Sequence, residues 1–108
     1  MSAIVIRLNY DNTILLQAAG DRLQKIENNF YIHPELIDLN RFEISDRIYN
    51  CPIKGLCLWV DLKTEAGWIN DICWVYPEPK KAYQHIAGWF GFYPSHRKYE
   101  LMHVSNDS

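Results

Sequence analysis

The 108-residue sequence has no apolar run approaching the roughly 18 to 20 residues that cross a bilayer as a helix. Its opening apolar segment, Ala3 to Leu8, is broken by Arg7 and is not followed by a small-residue cleavage site, so no secretory leader is expected. Charge of one sign is also missing. The net charge is −2, and Lys and Arg are scattered along the chain, which gives nucleic acid or an anionic membrane little to attract it. Cysteine is sparse: Cys51, Cys57 and Cys73 are odd in number and form no C-x-x-C pair, which argues against a disulfide framework and a four-thiolate zinc site. Reduced thiols in the cytoplasm are the expectation. None of the four histidines lies four residues from another, and no carboxylate joins them in a ligand pattern, so neither a metal nor a cofactor is expected.

What is present suits one folded domain. Hydrophobic residues make up 48 % and charged residues 22 %, and a chain of this length has room for a single core. Aromatics reach 14 %, with four Trp and seven Tyr, which lets a small domain bury much area with few residues.

The dominant period is two. Ile4, Ile6 and Leu8 alternate with Val5, Arg7 and Asn9, Asp11-Asn12 supplies a turn, and Thr13 to Ala19 returns as a second strand. Gly20-Asp21 interrupts; Arg22 to Glu27, a turn at Asn28-Asn29, and Phe30 to Ile32 continue a β meander. Pro34 at a first helical position and Glu35 behind it mark a short helical turn. Arg41 to Ile48 alternates again, and Tyr49 to Gly55, holding Pro52 and Gly55, reads as a shaped loop. Leu56 to Leu62 and Trp68 to Tyr76 flank a four-residue connection ending in Gly67, the clearest hairpin in the chain. Pro77 and Pro79 stop that strand, Lys80 to Ala87 suits a short helix ended by Gly88, and Trp89 to Tyr93 gives a last strand. The expectation is a mainly β fold of antiparallel hairpins in two sheets with one or two short helical turns. The domain is expected to span residues 1–94, with 95–108 a polar, partly flexible extension to which Tyr99, Leu101, Met102 and Val104 add at most one element, and with 105–108 frayed.

Cys51-Pro52-Ile53-Lys54-Gly55, then Trp74-Val75-Tyr76-Pro77-Glu78-Pro79, then Ile86-Ala87-Gly88 ahead of Phe92-Tyr93 follow one another in an order that resembles the family called domain of unknown function 427. Asn29 to Pro34 is similar to that family's aromatic stretch, so the resemblance covers roughly residues 3 to 93. It implies a compact architecture of the β-tent kind, here without the paired C-x-x-C motifs that hold zinc in relatives of that fold. Some members of the family carry a nucleotidyltransferase label. The residues do not support it: there is no G-x-x-x-x-G-K and no D-x-D, and Asp61, Asp71 and Glu65 are distributed around a hairpin.

Setting Lys63 opposite Trp68 puts Cys57 opposite Trp74, Trp59 opposite Ile72 and Asp61 opposite Asn70 on one face, with Trp59 and Trp74 as diagonal neighbours. Leu58, Val60, Leu62, Ile69, Cys73 and Val75 then form the core face. The other face offers Trp59, Trp74 and Tyr76 as an aromatic wall, with Cys51 and Lys54 at its mouth and Gly55 allowing close backbone approach. That set suits a flat or cationic small molecule, and it equally suits a second layer of core. The principal expectation is therefore a small-ligand-binding domain using Cys51, Lys54, Gly55, Trp59, Trp74 and Tyr76. One alternative is an enzyme with Cys51 as nucleophile and Lys54 as its electrostatic partner. The other is an interaction module presenting Trp68, Trp89 and Phe92.

Overall fold

The computed structural model describes residues 2–105 and contains nine strands and three 3-10 turns among them. Strands β1 (Ser2–Leu8), β2 (Ile14–Ala19) and β9 (Tyr99–Ser105) form a three-stranded sheet in the order β2-β1-β9. Strands β3 (Leu23–Ile26), β4 (Asn29–Ile32), β5 (Phe42–Cys51), β6 (Gly55–Thr64), β7 (Gly67–Val75) and β8 (Phe90–Phe92) form a six-stranded sheet in the order β3-β4-β8-β7-β6-β5. Every pairing is antiparallel. The mainly β, two-sheet fold expected from the alternation is what the chain adopts.

Local chemistry accounts for the turns. Glu27 and Asn28 both have positive φ, +52° and +72°, as a two-residue hairpin turn between right-twisted strands requires. The turn sits one residue earlier than the Asn28-Asn29 pair suggests. Pro34 opens the 3-10 turn Pro34–Leu36, and the His33 ring caps it by accepting the Glu35 amide at 3.0 Å. The Lys80 to Ala87 stretch is 3-10 over Lys81–Ile86 and is interrupted by a non-helical Tyr83.

The main core draws on both sheets. Ile4, Ile6 and Leu8 of β1 and Tyr99 and Leu101 of β9 meet Val60, Leu62, Cys73, Val75, Phe90 and Phe92, all buried. A second cluster, Tyr31, Cys57, Trp74, Tyr76 and Ile86, lies apart from it, with Trp59, Cys51 and Trp89 packed alongside. Adjacent strand positions alternate between the two clusters, Cys57 and Trp74 going to one, Val60, Cys73 and Val75 to the other.

Three expectations need correcting. Residues 99–105 are not part of an extension: they pair with β1 along its whole length, and Tyr99 is completely buried, so the β structure continues past residue 94. The end of the expected frayed tail, residues 106–108, lies outside the described residues. The expected loop from Tyr49 is strand as far as Cys51, which pairs with Gly55 around a three-residue turn. Finally, the central hairpin holds the expected register only from Thr64 to Leu62, where Lys63 faces Trp68; beyond it Asp61 alone faces Asn70, Asp71 and Ile72, and pairing resumes at Val60 with Cys73. This bulge, with Asp71 at φ +58°, makes Trp59 and Trp74 direct partners and sends Ile72 into the main core, away from the Trp face where it was expected. A matching bulge in β5 sets Ser45, Asp46 and Arg47 against Trp59.

Candidate functional site

Cross-strand register places Tyr31 of β4, Gly91 of β8, Trp74 of β7 and Trp59 of β6 in one row across the large sheet. A Cβ on Gly91 would stand 2.5 Å from Trp74 Nε1 and 2.8 Å from Cζ2, so the indole occupies the space a side chain would need. From there Trp74 Nε1 donates to the Tyr31 hydroxyl at 3.3 Å. The rings are fixed mostly edge to face: Trp74 lies 6.2 Å from both Tyr31 and Trp59, and Tyr93 leans on it at 4.6 Å. Tyr49 faces Cys57 on the same side as Trp59.

These residues enclose a concavity of about 310 Å³ lined by Asn29, Tyr31, Tyr49, Lys54, Cys57, Trp59, Trp74, Tyr76 and Tyr93. Of the residues named from sequence, Lys54, Trp59, Trp74 and Tyr76 line it. Cys51 packs against the same cluster without being part of the lining, and Gly55 shapes the turn, where its φ of +109° and its approach to the Lys80 backbone leave little room for a side chain. Asn29, Tyr31, Tyr49, Cys57 and Tyr93 were not named; parity on the ladder links Tyr49 and Cys57 to Trp59 once β5 is known to reach Cys51.

Lys54 is no solvated point charge at the mouth. It is 7 % exposed, its Nζ lies 2.6 Å from Glu27 Oε2 and 5.1 Å from the centre of the Tyr83 ring, and its carbonyl accepts the Lys80 amide at 2.7 Å. Burial disfavours its charge, but the Glu27 partnership outweighs that and raises its pKa; Glu27 is correspondingly held below its usual carboxylate value by the hydrogen bond and charge of Lys54. The pair fastens the β5–β6 turn to the β3–β4 turn.

The Cys51 thiol accepts the Lys54 amide at 3.4 Å. Partial burial opposes its ionisation, yet the Lys54 and Ile53 amides, the Tyr76 hydroxyl and the Lys54 charge together bring its pKa below the ordinary 9.0. Burial instead raises the Cys57 and Cys73 thiols and drives the Tyr76 phenol far above its ordinary value. All three cysteines are free.

Two carboxylates that the sequence separates do converge. Asp61, buried at 7 % exposure, and Asp71 both bind Arg47, Asp71 at 2.7 Å and 3.0 Å, and Asp61 also accepts the Asp71 amide at 2.9 Å. The two bulges bring Arg47 and Asp71 to either flank of β6, and the guanidinium occupies both acids. Among the described residues no three His, Cys, Asp or Glu side chains gather as a metal-binding group, and no helix is long and apolar enough to cross a membrane. The aromatic trio suggested as a docking patch is not one surface: Phe92 is fully buried, Trp89 packs edge-on against His33 at 5.0 Å, and Trp68 is 52 % exposed.

Fold and site together define a small antiparallel β domain with an aromatic hollow on its larger sheet. The sequence model of the family described as Domain of unknown function (DUF427) matches residues 6–104, and the chain belongs to that family. No curated protein matches it.

Proposed function

We propose that the domain binds a small planar molecule in the aromatic hollow, with Lys54 as its polar anchor. The observation that carries this reading is a preformed concavity of about 310 Å³ in which six of the nine lining residues are aromatic. That volume is at the small end of ligand sites and suits a molecule of one or two rings. Trp59 offers stacking surface and Trp74 backs the floor of the hollow; Asn29 and the tyrosine hydroxyls offer both donors and acceptors, so a ring bearing a carbonyl or carboxylate suits the site. Lys54, already desolvated, turns toward such an acceptor if Glu27, which is exposed, gives way. The Cys51–Gly55 segment serves by shaping the turn that delivers Lys54. Three free thiols are in keeping with the reducing cytoplasm as the place of action.

The test is a thermal-shift screen of a metabolite library on the wild type, Trp59→Ala and Lys54→Met. A ligand that binds only the folded state at a hundred times its Kd stabilises by about 2.7 kcal/mol, roughly ten degrees or more for a domain of this size. A hit lost in both variants supports the reading; hits indifferent to both substitutions defeat it.

A further inference from the structure

A second hollow, of about 420 Å³, lies at the other end of β6 from Lys54 and shares no lining residue with the first. Three connections build it: Asn9 and Tyr10 after β1, the tip of the β6–β7 hairpin carrying Trp68, and Arg97 and Lys98 ahead of β9. The first and third are fastened to each other, and the hairpin tip is braced within itself. The Asn9 amide donates to the Lys98 carbonyl at 2.9 Å and its side chain to the Arg97 carbonyl at 3.2 Å, while Thr64 Oγ1 donates to the Gly67 carbonyl at 2.7 Å across the hairpin tip. The shape therefore exists before any ligand arrives.

Two features of its lining have no structural duty in the fold. Tyr10 and Trp68 are 54 % and 52 % exposed, leaving broad aromatic surface in contact with water inside one concavity. Arg97 and Lys98 are exposed, and among the described residues neither stands in a salt bridge. An adjoining hollow shares Tyr10 and Thr64 and adds Arg41 and Lys63. Among the described residues lining the two hollows, the four cations stand with two carboxylates, Asp11 and Glu65, and Asp11 is already bonded to the Thr13 amide and hydroxyl at 3.0 Å and 2.7 Å. In a chain of net charge −2, the fold gathers at this end basic residues that the sequence scatters.

We propose that this hollow is a second binding site, for a flat aromatic anion: the ring lies against Trp68 and Tyr10, and its phosphate or carboxylate is held by Arg97 and Lys98. Guanidinium and ammonium groups recognise both anions, and exposed aromatic faces accept any planar ring. Nothing in this argument depends on the first hollow being a ligand site.

The full chain, labelled with nitrogen-15, is titrated at low salt with adenosine 5′-monophosphate and, separately, with 2-naphthoate, to distinguish phosphate from carboxylate. Adenosine and inorganic phosphate serve as half-ligands. At least one whole ligand is expected to shift the Trp68 indole and the 97 and 98 amides with a Kd at or below about 1 mM, to bind at least tenfold more tightly than either half, and to leave the Trp74 indole unmoved. Trp68→Ala and the double variant Arg97→Ala/Lys98→Ala each lower that affinity at least tenfold. Both change exposed side chains, and an unchanged melting temperature verifies that they fold. Binding no tighter than phosphate alone, insensitivity to Trp68→Ala, or a response confined to single-stranded oligonucleotide overturns the proposal.

Discussion

Gly91→Ala puts a single methyl where the Trp74 indole lies. In an ordinary strand position, replacing Gly by Ala stabilises by roughly 0.5–1 kcal/mol, since the unfolded chain loses freedom and the strand gains a side chain. Here the sign reverses. The new Cβ would come 2.5 Å from Nε1 and 2.8 Å from Cζ2 of a ring that is 5 % exposed and braced by Tyr31, Trp59 and Tyr93. Overpacking of this kind costs about 1–3 kcal/mol. Moving the indole also breaks its hydrogen bond to the Tyr31 hydroxyl, worth about 1 kcal/mol more. A total near 3 kcal/mol, divided by a urea m-value of about 1.5 kcal/mol/M, lowers the midpoint by about 2 M. The assay is urea unfolding followed by tryptophan fluorescence. Gly67→Ala provides the contrast: its φ is +116° but no atom lies within 4 Å of the added Cβ, so it should cost only backbone strain of about 1 kcal/mol. In a Trp74→Leu background the indole is gone, and Gly91→Ala should cost less than about 0.5 kcal/mol, a coupling of about 2 kcal/mol or more between the two positions. A Gly91→Ala penalty no larger than that of Gly67→Ala, or one that persists in the Trp74→Leu background, would refute the packing argument.

The Glu27–Lys54 pair has a definite pH signature. Because the folded pKa of Glu27 lies below its ordinary 4.5, its contribution is complete above that value and is lost as pH falls through the folded pKa; the stability gap between wild type and Glu27→Gln should therefore be open at pH 6 and narrow progressively as pH falls below 4.5 in urea titrations. With Cys51 half-buried and eased toward ionisation while Cys57 and Cys73 are buried, a disulfide reagent should modify one thiol per folded chain, and Cys51→Ala should abolish that phase; fast reaction at Cys57 or Cys73 without unfolding would contradict it. Arg47→Met leaves Asp61 buried without its cation, so its urea midpoint should fall well below that of Arg7→Met, which breaks only the surface pair with Glu100 at 3.0 Å.

The period of two was enough to read the strands of the larger sheet, β1 and β2 of the smaller one, and, Ile72 aside, which side chains of the central hairpin share a face, because alternation encodes facing directly. Lys54, Trp59, Trp74 and Tyr76 could be named on the same ground. Pairing across strands was less legible. Nothing in Asn70-Asp71-Ile72 announces that Asp71 takes a positive φ, so the partners of Trp59 and Cys57 came out displaced. Residues 95–105 look polar because β9 lies at the edge of its sheet: Tyr99 and Leu101 alternate with Glu100 and Met102, His103 shares the side of Tyr99 and Leu101, and only tertiary contact reveals that Tyr99 is in the core. Tyr31 and Tyr93 reach the hollow through β4–β8 pairing, which joins segments about sixty residues apart and leaves no local trace. Gly91 between two phenylalanines was a visible signal of close approach, but its partner, Trp74, is identifiable only from the ladder.

The two bulges flanking β6 each set three residues against one, an excess of two, and two is the repeat of a strand. An insertion of one would exchange one face for the other along everything beyond it, carrying Trp74 into the main core and Val75 to the Trp face. Inserting a pair leaves the inside and outside of the sheet unchanged while sliding one strand along its neighbour. The spacing between the aromatic hollow at one end of β6 and the basic one at the other is therefore adjustable in steps of two residues without rebuilding either, and the Arg47 guanidinium between Asp61 and Asp71 is the clasp that holds the present setting.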